Sequence, residues 1–352
     1  MNQTKTELIS DPLFQLNAVL WLAQPLPEQA EITPLLYNNG FQVLAIGLQL
    51  TLPPSILLKV AKTNLAINDS AHPDVIISRE QDGKFAFIEC KKNSFGADSS
   101  TAAQARTLLI AADGPAAEIL ALQPSQVSRV VLEYLMPEEK RAAQAETNKI
   151  LAVELKESGL LSGEAQFLGL RMTSKSLDLV VGDNNDPFGL GIGSHQFMTL
   201  EPDTDPRPIY FIPYDPLIEQ SPTEREMSKR ILFERIHASV VSNVGRSTCP
   251  IELILQTDNL LHDATFRMYA RWDDHDSKVN LKRLLKQFMD ALAKTLNDEI
   301  PEVIHSPQLG QWTLSLPSEP RKEKTLDVLT AFSCETLSRA KEPEPDLFEK
   351  LN

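Results

Sequence analysis

The sequence predicts an α/β fold, in which helices flank a mixed central sheet and a second α/β region follows. Helical and strand-like patterns alternate over the first third of the chain, in the order helix, three strands, helix, strand. Such an order is typical of helices packed around a central sheet. The hydrophobic content of 42% supplies enough apolar side chains for a core. A length of 352 residues predicts about two domains.

The elements of the first region are predicted from apolar spacing and capping residues. Leucines recur at helical intervals after Asp11, a candidate N-cap, and Pro12, which suits the first position of a helix. Acidic residues open the last helix of this region, where they favour the positive end of its dipole. In chain order we expect a helix over 12–24, a strand over 41–50, a hairpin over 74–91, a helix over 99–113, a strand over 127–135 and a charged helix over 137–158.

The composition shifts after Gly159, and a second series of elements follows. The apolar stripe from Leu281 to Leu296 has to be buried against the rest of the chain or against a partner. We expect strands over 165–172, 177–181 and 209–214, a polar glycine-rich stretch over 182–206, amphipathic helices over 223–243 and 279–296, and a helix within 325–340. The predicted domains are a first domain over 1–136, a connecting helix over 137–160, an α/β region over 161–315 and a polar tail over 316–352.

Charge and cysteine content restrict the function classes. The formal net charge is −14, whereas proteins that bind duplex nucleic acid unaided are usually basic. Any contact with nucleic acid therefore has to use a local patch, metal ions or a partner. The three cysteines are scattered, which argues against a disulfide framework and favours a reducing cytoplasm. No apolar run reaches the roughly 18 residues that span a bilayer, and no signal peptide is recognised.

The hairpin segment carries charged side chains at its open end. Asp82-Gly83 between two apolar runs is a strong signal for a two-residue turn, because a type I′ turn needs positive φ at both positions. In that register Asp74 faces Lys91 and lies diagonally from Glu89, at about 7–8 Å between backbone positions. A four-residue loop keeps these side chains on one face, whereas a loop of odd length moves Asp74 to the other face.

Two carboxylates at this separation can share a hard divalent cation, which prefers oxygen ligands. The ammonium group of Lys91 beside them can orient or activate a water molecule. The arrangement indicates metal-assisted hydrolysis of a phosphodiester, in which the metal neutralises charge on the phosphorane and supplies hydroxide near neutral pH. The alternative is a simple cross-strand ion pair between Asp74 and Lys91, worth about a few tenths of a kcal/mol.

The dipeptide PD at 73–74 and the tripeptide ECK at 89–91 resemble the signature of the PD-(D/E)XK nuclease superfamily. The resemblance covers roughly residues 10–136 and implies the restriction-endonuclease-like αβββαβ core. It implies that Asp74, Glu89 and the backbone carbonyl of Cys90 bind magnesium. It also implies that Lys91 positions the attacking water.

Some branches of this superfamily add a glutamine on the next helix, and Gln104 in QARTLL resembles it. An aromatic residue that those branches place four positions later is Leu108 here. The alternative for Gln104 is a surface amide without a role in the site. Many branches also carry a glutamate on the first helix, for which Glu28 and Glu31 are the candidates, although both lie among prolines.

Basic residues on helices are the candidates for contact with nucleic acid in this acidic chain. The alternative for these residues is that they form solvated helix faces and contact no nucleic acid. The candidates are Arg106, Lys229, Arg230, Lys282, Arg283 and Lys286.

The resemblance implies a nuclease that depends on Mg²⁺ or Mn²⁺, with DNA as the expected substrate and RNA as an alternative. It implies a cytoplasmic role in prokaryotic restriction, phage defence or repair. The expected assembly is a complex with a motor or sensor subunit, or a homo-oligomer. The C-terminal region would place the substrate or serve assembly. A non-catalytic scaffold with the nuclease fold is the competing hypothesis: the charge of −14 suits it, whereas Asp74, Glu89 and Lys91 favour the enzyme.

Overall fold

The computed structural model describes residues 5–25, 31–182, 186–201 and 207–340. The chain forms two compact units, which confirms the predicted α/β class in each. The first unit comprises Met1–Ile209 and Arg271–Asp274, and the second comprises Tyr210–Ala270 and His275–Asn352. Within the described residues, no helix is both long and apolar enough to cross a membrane.

The first unit is built on a mixed seven-stranded sheet with the strand order β1-β4-β5-β6-β7-β8-β9. Strand β6 runs parallel to β5 and to β7, and the remaining neighbours in this sheet are antiparallel. Strands β2 and β3 form a separate short ladder. The strands are β1 Gln42–Ile46, β2 Leu50–Thr51, β3 Ser70–Ala71, β4 Val75–Arg79, β5 Lys84–Cys90, β6 Arg129–Pro137, β7 Glu164–Met172, β8 Ser176–Val181 and β9 Gly193–Thr199.

Helices cover both faces of this sheet. Helix α5 and α7 contribute to a core that includes Ile76, Phe87 and Leu132, which lie on one face of β4, β5 and β6. Helix α2 packs against β1, β4 and β5 and contributes nothing to that core, so it lies against the other face. The helices of this unit are α1 Lys5–Ile9, α2 Pro12–Ala23, α3 Leu35–Asn38, α4 Pro54–Val60, α5 Ser100–Ala111, α6 Ala116–Ile119 and α7 Arg141–Glu157.

Helix α2 begins where the sequence predicts it. The Asp11 carboxylate accepts a hydrogen bond from the amide of Leu13 at 2.9 Å, and Pro12 occupies the first turn. The leucine spacing suggested an amphipathic helix, but this expectation is wrong, because every residue from Leu13 to Ala23 is buried. The helix therefore buries Gln15 as well, and a buried amide needs internal hydrogen-bond partners.

The second unit packs helices around a three-stranded antiparallel sheet with the order β10-β12-β11. The apolar stripe predicted between Leu281 and Leu296 is buried within this unit, where Phe288 stacks on Phe233 with a centroid distance of 5.3 Å. The elements are α8 Pro222–Arg246, β10 Ile251–Gln256, α9 Thr257–Ala264, α10 His275–Glu299, β11 Ile304–Gln308, β12 Gln311–Leu316, α11 Glu319–Ala331 and α12 Glu335–Ser338.

The predicted domain boundaries after residues 136 and 160 are wrong. Strands β7, β8 and β9 extend the sheet of the first unit, so this unit continues to Ile209. Helix α7 is the crossover between the parallel strands β6 and β7, a connection that parallel pairing requires, rather than a linker between domains. The expected polar tail after 316 is also wrong in part, because α11 packs against α8 and α10.

The strand predictions differ from the structure at several places. The strand expected over 41–50 is divided into β1 and β2, and no strand was predicted where β3, β10, β11 and β12 lie. The segment 209–214 is not a strand, and Pro213 within it lacks the amide that a ladder needs, although Tyr210, Ile212 and Tyr214 are buried. Conversely, β9 lies in the polar glycine-rich stretch over 182–206, where no strand was predicted. Its pairing with β8 supplies the hydrogen bonds that its local sequence does not predict.

Replacing Gly83 by alanine is expected to destabilise the first unit by about 1–3 kcal/mol. Gly83 has a φ of +64°, and an added Cβ would lie 2.7 Å from the carbonyl oxygen of Gln126. Gly96→Ala is the matched control, because no heavy atom lies within 4 Å of its added Cβ. Urea denaturation measures the free energy of unfolding of both variants and of the wild type. Equal stability of Gly83→Ala and wild type would contradict the turn geometry.

Candidate active site

The hairpin brings the predicted charged residues together, but in a register that differs from the predicted one. Ile76 pairs with Phe87 and Arg79 pairs with Lys84, so the turn contains four residues, Glu80–Gly83. The predicted two-residue turn is therefore wrong. The pairing is displaced by two residues, which keeps every side chain on its predicted face. Continued by one residue beyond Val75, the ladder sets Asp74 across from Glu89 rather than Lys91.

Asp82 explains why the turn is longer. Its carboxylate accepts two hydrogen bonds from the Arg79 guanidinium at 2.9 and 2.8 Å, and it pairs with the Lys84 ammonium at 3.1 Å. These contacts lower the pKa of Asp82 to about 2, with the hydrogen bonds from Arg79 as the largest cause. Gly83 alone supplies the left-handed conformation that closes the turn.

Three charged groups meet at the open end of the hairpin. The Lys91 Nζ lies 2.5 Å from the Glu89 Oε2. The Asp74 Oδ2 accepts a hydrogen bond of 2.6 Å from the backbone amide of Cys90. Glu89 is buried, while Asp74 and Lys91 are half-buried. The structure thus brings together the three residues that the sequence predicts for catalysis.

Burial governs the electrostatics of this cluster. Desolvation raises the pKa of Glu89 to about 7 and raises that of Asp74, although the Lys91 ammonium opposes both shifts. Burial would lower the pKa of Lys91, but the carboxylates of Glu89 and Asp74 outweigh it and raise that pKa above its ordinary value. Lys91 is therefore a protonated ammonium at neutral pH, and it balances one of two carboxylates.

Gln104 joins this cluster from helix α5. Its Nε2 donates to both carboxylate oxygens of Glu89, at 3.3 and 3.4 Å, and to the backbone carbonyl of His72 at 3.2 Å. The amide therefore reaches the site, as the resemblance implies for this position. Leu108, four residues later, is buried in the core against the sheet.

Two neighbouring residues were missed by the sequence analysis. Gln15 on α2 donates from Nε2 to the Lys91 carbonyl at 3.1 Å, and its buried Oε1 has no hydrogen-bond partner among the described residues. Tyr134 pairs with Glu89 in the β5–β6 ladder, and its buried hydroxyl has no such partner either. The sequence carried a signal for Gln15, which is one of two polar residues in a mainly apolar helix. Tyr134 could be found only from the register of two parallel strands.

Of the two candidates for the first-helix glutamate, only Glu31 lies among the described residues, and it is not near this cluster. Glu28 lies outside the described residues. Glu31 is exposed, and its backbone carbonyl accepts a hydrogen bond from Thr199 at the end of β9. Strand β9 is four strands from β5 in the sheet order, so Glu31 does not join Glu89.

The predicted contact with nucleic acid is wrong for two of the basic residues, because their side chains are buried. Arg106 is buried and bonded to the Glu154 carboxylate at 2.7 Å, which joins α5 to α7. Lys229 is buried, and its Nζ donates to the carbonyl of Ala340 at 2.7 Å. Arg230 is exposed and pairs with Glu234 one turn away. The three basic residues of α10, Lys282, Arg283 and Lys286, line a cleft of the second unit.

The donor set at the hairpin end fits a hard divalent cation. Two carboxylates with raised pKa values gain from additional positive charge, and oxygen is the donor that Mg²⁺ prefers. Among the described residues, no group of three or more His, Cys, Asp or Glu side chains is placed to hold an ion. Further ligands therefore have to be backbone oxygens, water or a substrate phosphate, which is common for Mg²⁺. The role of the Cys90 carbonyl stays a prediction.

Comparisons of the chain with protein-family models, with curated proteins and with solved structures gave no match.

The free energy of unfolding in the absence of divalent ions is expected to fall by about 1–3 kcal/mol between pH 5 and pH 8. The pKa of Glu89 is raised from its ordinary value of 4.5 to about 7 by burial, so the folded chain binds more protons in this window. Raising the pH therefore favours the unfolded chain. Glu89→Gln is expected to flatten the dependence in urea titrations with a chelator.

Glu80→Gln is the matched control for this measurement, because Glu80 is exposed in the turn of the same hairpin. It should leave the pH dependence unchanged. A dependence that persists in Glu89→Gln would show that another group titrates.

Proposed function

We propose that the chain is a metal-dependent nuclease that hydrolyses phosphodiester bonds, with DNA as its substrate. The observation that carries the proposal is the cluster of Asp74, Glu89 and Lys91 at one end of the hairpin, with 2.5 Å between the Lys91 Nζ and Glu89. The elements α2, β1, β4, β5, α5 and β6 follow one another in this order, with the elements α3, β2, α4, β3 and α6 between them. This order supports the proposal, because the resemblance implies a helix, three strands, a helix and a strand.

Each residue has a distinct role in this proposal. Asp74 and Glu89 bind Mg²⁺ or Mn²⁺, which supplies Lewis acidity toward the phosphate and acidifies water. The Lys91 ammonium orients water and stabilises negative charge on the phosphate, because its raised pKa prevents it from acting as a base at neutral pH. Gln104 holds the Glu89 carboxylate in place through its two hydrogen bonds.

The competing hypothesis is a non-catalytic scaffold that keeps this fold and binds a partner. The net charge of −14 favours it, because an acidic chain repels a polyanion unless a local patch, metal ions or a partner compensates. Both hypotheses place the protein in prokaryotic restriction, phage defence or repair, in the cytoplasm. They differ in whether the purified chain or its complex cleaves nucleic acid.

Divalent-dependent cleavage is expected for the wild type and should decrease at least about 100-fold in Asp74→Asn, Glu89→Gln and Lys91→Gln, since a single positioned charge in a catalytic site is worth about 3 kcal/mol. Lys92→Gln is the matched control, because this neighbour of Lys91 is exposed. Supercoiled, linear and single-stranded DNA and single-stranded RNA are incubated with Mg²⁺ or Mn²⁺, and products are resolved on gels.

The result decides between the two hypotheses. Variants that cut as well as the wild type would refute the assigned roles. A wild type that cuts none of these substrates, even with partners recovered by pull-down, would favour the scaffold. Preferential cleavage of RNA would identify RNA, rather than DNA, as the substrate.

Mg²⁺ is expected to stabilise the wild type by about 1.4 kcal/mol at tenfold excess over its dissociation constant, because the ion binds the folded chain. Asp74→Asn should abolish this increase in the melting temperature while it retains the oxygen that accepts from the Cys90 amide. Glu80→Gln should respond as the wild type does. Equal stabilisation of wild type and Asp74→Asn would place the ion elsewhere.

A further inference from the structure

The second unit contains a cleft between one face of α10 and the tip of the β11–β12 hairpin. Its volume is about 430 Å³, which lies in the range typical of small-ligand sites. We call it the α10 cleft, and its polar lining includes Asp258, Lys282, Arg283, Lys286, Gln308 and Gln311.

Helical periodicity places the basic residues on one side of α10. Lys282, Arg283 and Lys286 are separated by one, three and four positions, so they share a helix face with Val279. The apolar stripe of the same helix is buried in the unit. The basic face is therefore held in a fixed orientation toward the cleft.

The cleft carries excess positive charge in an acidic protein. Three basic side chains and one carboxylate line it, whereas the whole chain has a net charge of −14. Lys282 pairs with Asp258 at 3.1 Å and Lys286 pairs with Asp290 at 2.6 Å, with all four side chains exposed. Exposed ion pairs contribute about 0–1 kcal/mol, so a phosphate group can compete with both carboxylates for the ammonium groups.

The opposite wall of the cleft is preformed. Gln308 pairs with Gln311, which leaves Leu309 and Gly310 as the hairpin turn. The Gly310 carbonyl accepts hydrogen bonds from the amide and the hydroxyl of Thr257, both at 3.0 Å. Leu309 lines the cleft with 87% of its surface exposed, so an apolar surface stands beside the basic one.

We propose that the α10 cleft binds a nucleotide unit. Its phosphate contacts Lys282, Arg283 and Lys286, and the base or sugar covers Leu309. The Gln308 Nε2 donates to the Gln311 Oε1 at 2.7 Å, so the Gln308 Oε1 and the Gln311 Nε2 provide the hydrogen bonds to the nucleotide. The unit can be a free nucleotide or part of a single strand, since both present a phosphate beside an apolar ring. The inference does not require nuclease activity, because all of these residues belong to the second unit.

The test measures binding to the full-length chain with Asp74→Asn in a chelator, so that cleavage plays no part. The probes are a 5′-mononucleotide, a single-stranded oligonucleotide of the same base, the unphosphorylated nucleoside and inorganic phosphate, each titrated by calorimetry at low and at moderate salt. Replacing Lys282, Arg283 and Lys286 together by glutamine is expected to weaken nucleotide binding at least tenfold, with a smaller salt dependence.

A second triple variant controls for net charge. Arg246, Lys294 and Lys324 are exposed in the same unit and do not line the cleft, and their replacement by glutamine removes the same three charges. This variant should bind as the parent does. Melting temperatures check that both triple variants are folded.

The outcomes separate the two sources of the nucleotide. Similar affinities for mononucleotide and oligonucleotide support a free nucleotide, and at least tenfold tighter binding of the oligonucleotide supports a strand. Three results would overturn the proposal: no binding of either probe, equal weakening by both triple variants, or inorganic phosphate binding as tightly as the mononucleotide. Because no step requires a divalent ion, these results are independent of whether the chain cleaves nucleic acid.

Discussion

The antiparallel pairing of β4 with β5 determines both the core and the candidate site. Its register sets Asp74 across from Glu89, and it buries Phe85 and Phe87 in the core beneath α5. Because successive residues of a strand point to opposite faces, a slip of one residue would move the two phenylalanines away from the face beneath α5 and place the carboxylates on opposite faces of the sheet. The burial of apolar side chains in the core therefore offsets the free-energy cost of desolvating this charged cluster.

Incomplete charge balance is the characteristic electrostatic property of this cluster. Two carboxylates share one ammonium group in a poorly solvated position, so burial raises the pKa of both acids. Structures that store such unfavourable charge commonly do so at functional sites. A purely structural ion pair would need only one acid for Lys91, and under the proposed function a divalent cation would balance the second carboxylate.

The sequence predicted the face of each charged residue correctly because strand periodicity survives an error of two residues. It missed the turn, since the tendency of Asp-Gly to form a tight turn does not include the bonds of Asp82 to Arg79 and Lys84. Arg106 was misassigned for a related reason: its partner Glu154 lies 48 residues away on another helix. Local patterns predict faces and elements, whereas distant pairs and the register of parallel strands require the assembled fold.

The hydrogen bond between Asp74 and the amide of Cys90 has a consequence for hydrogen exchange. At this position a side-chain carboxylate, rather than a backbone carbonyl, accepts from the amide at the end of β5. Fraying of this strand end and disassembly of the cluster are thus one event. An ion that bridges the two acids would hold the strand end closed. Binding of the ion would then slow hydrogen exchange at the Cys90 amide more than at the other amides of the hairpin.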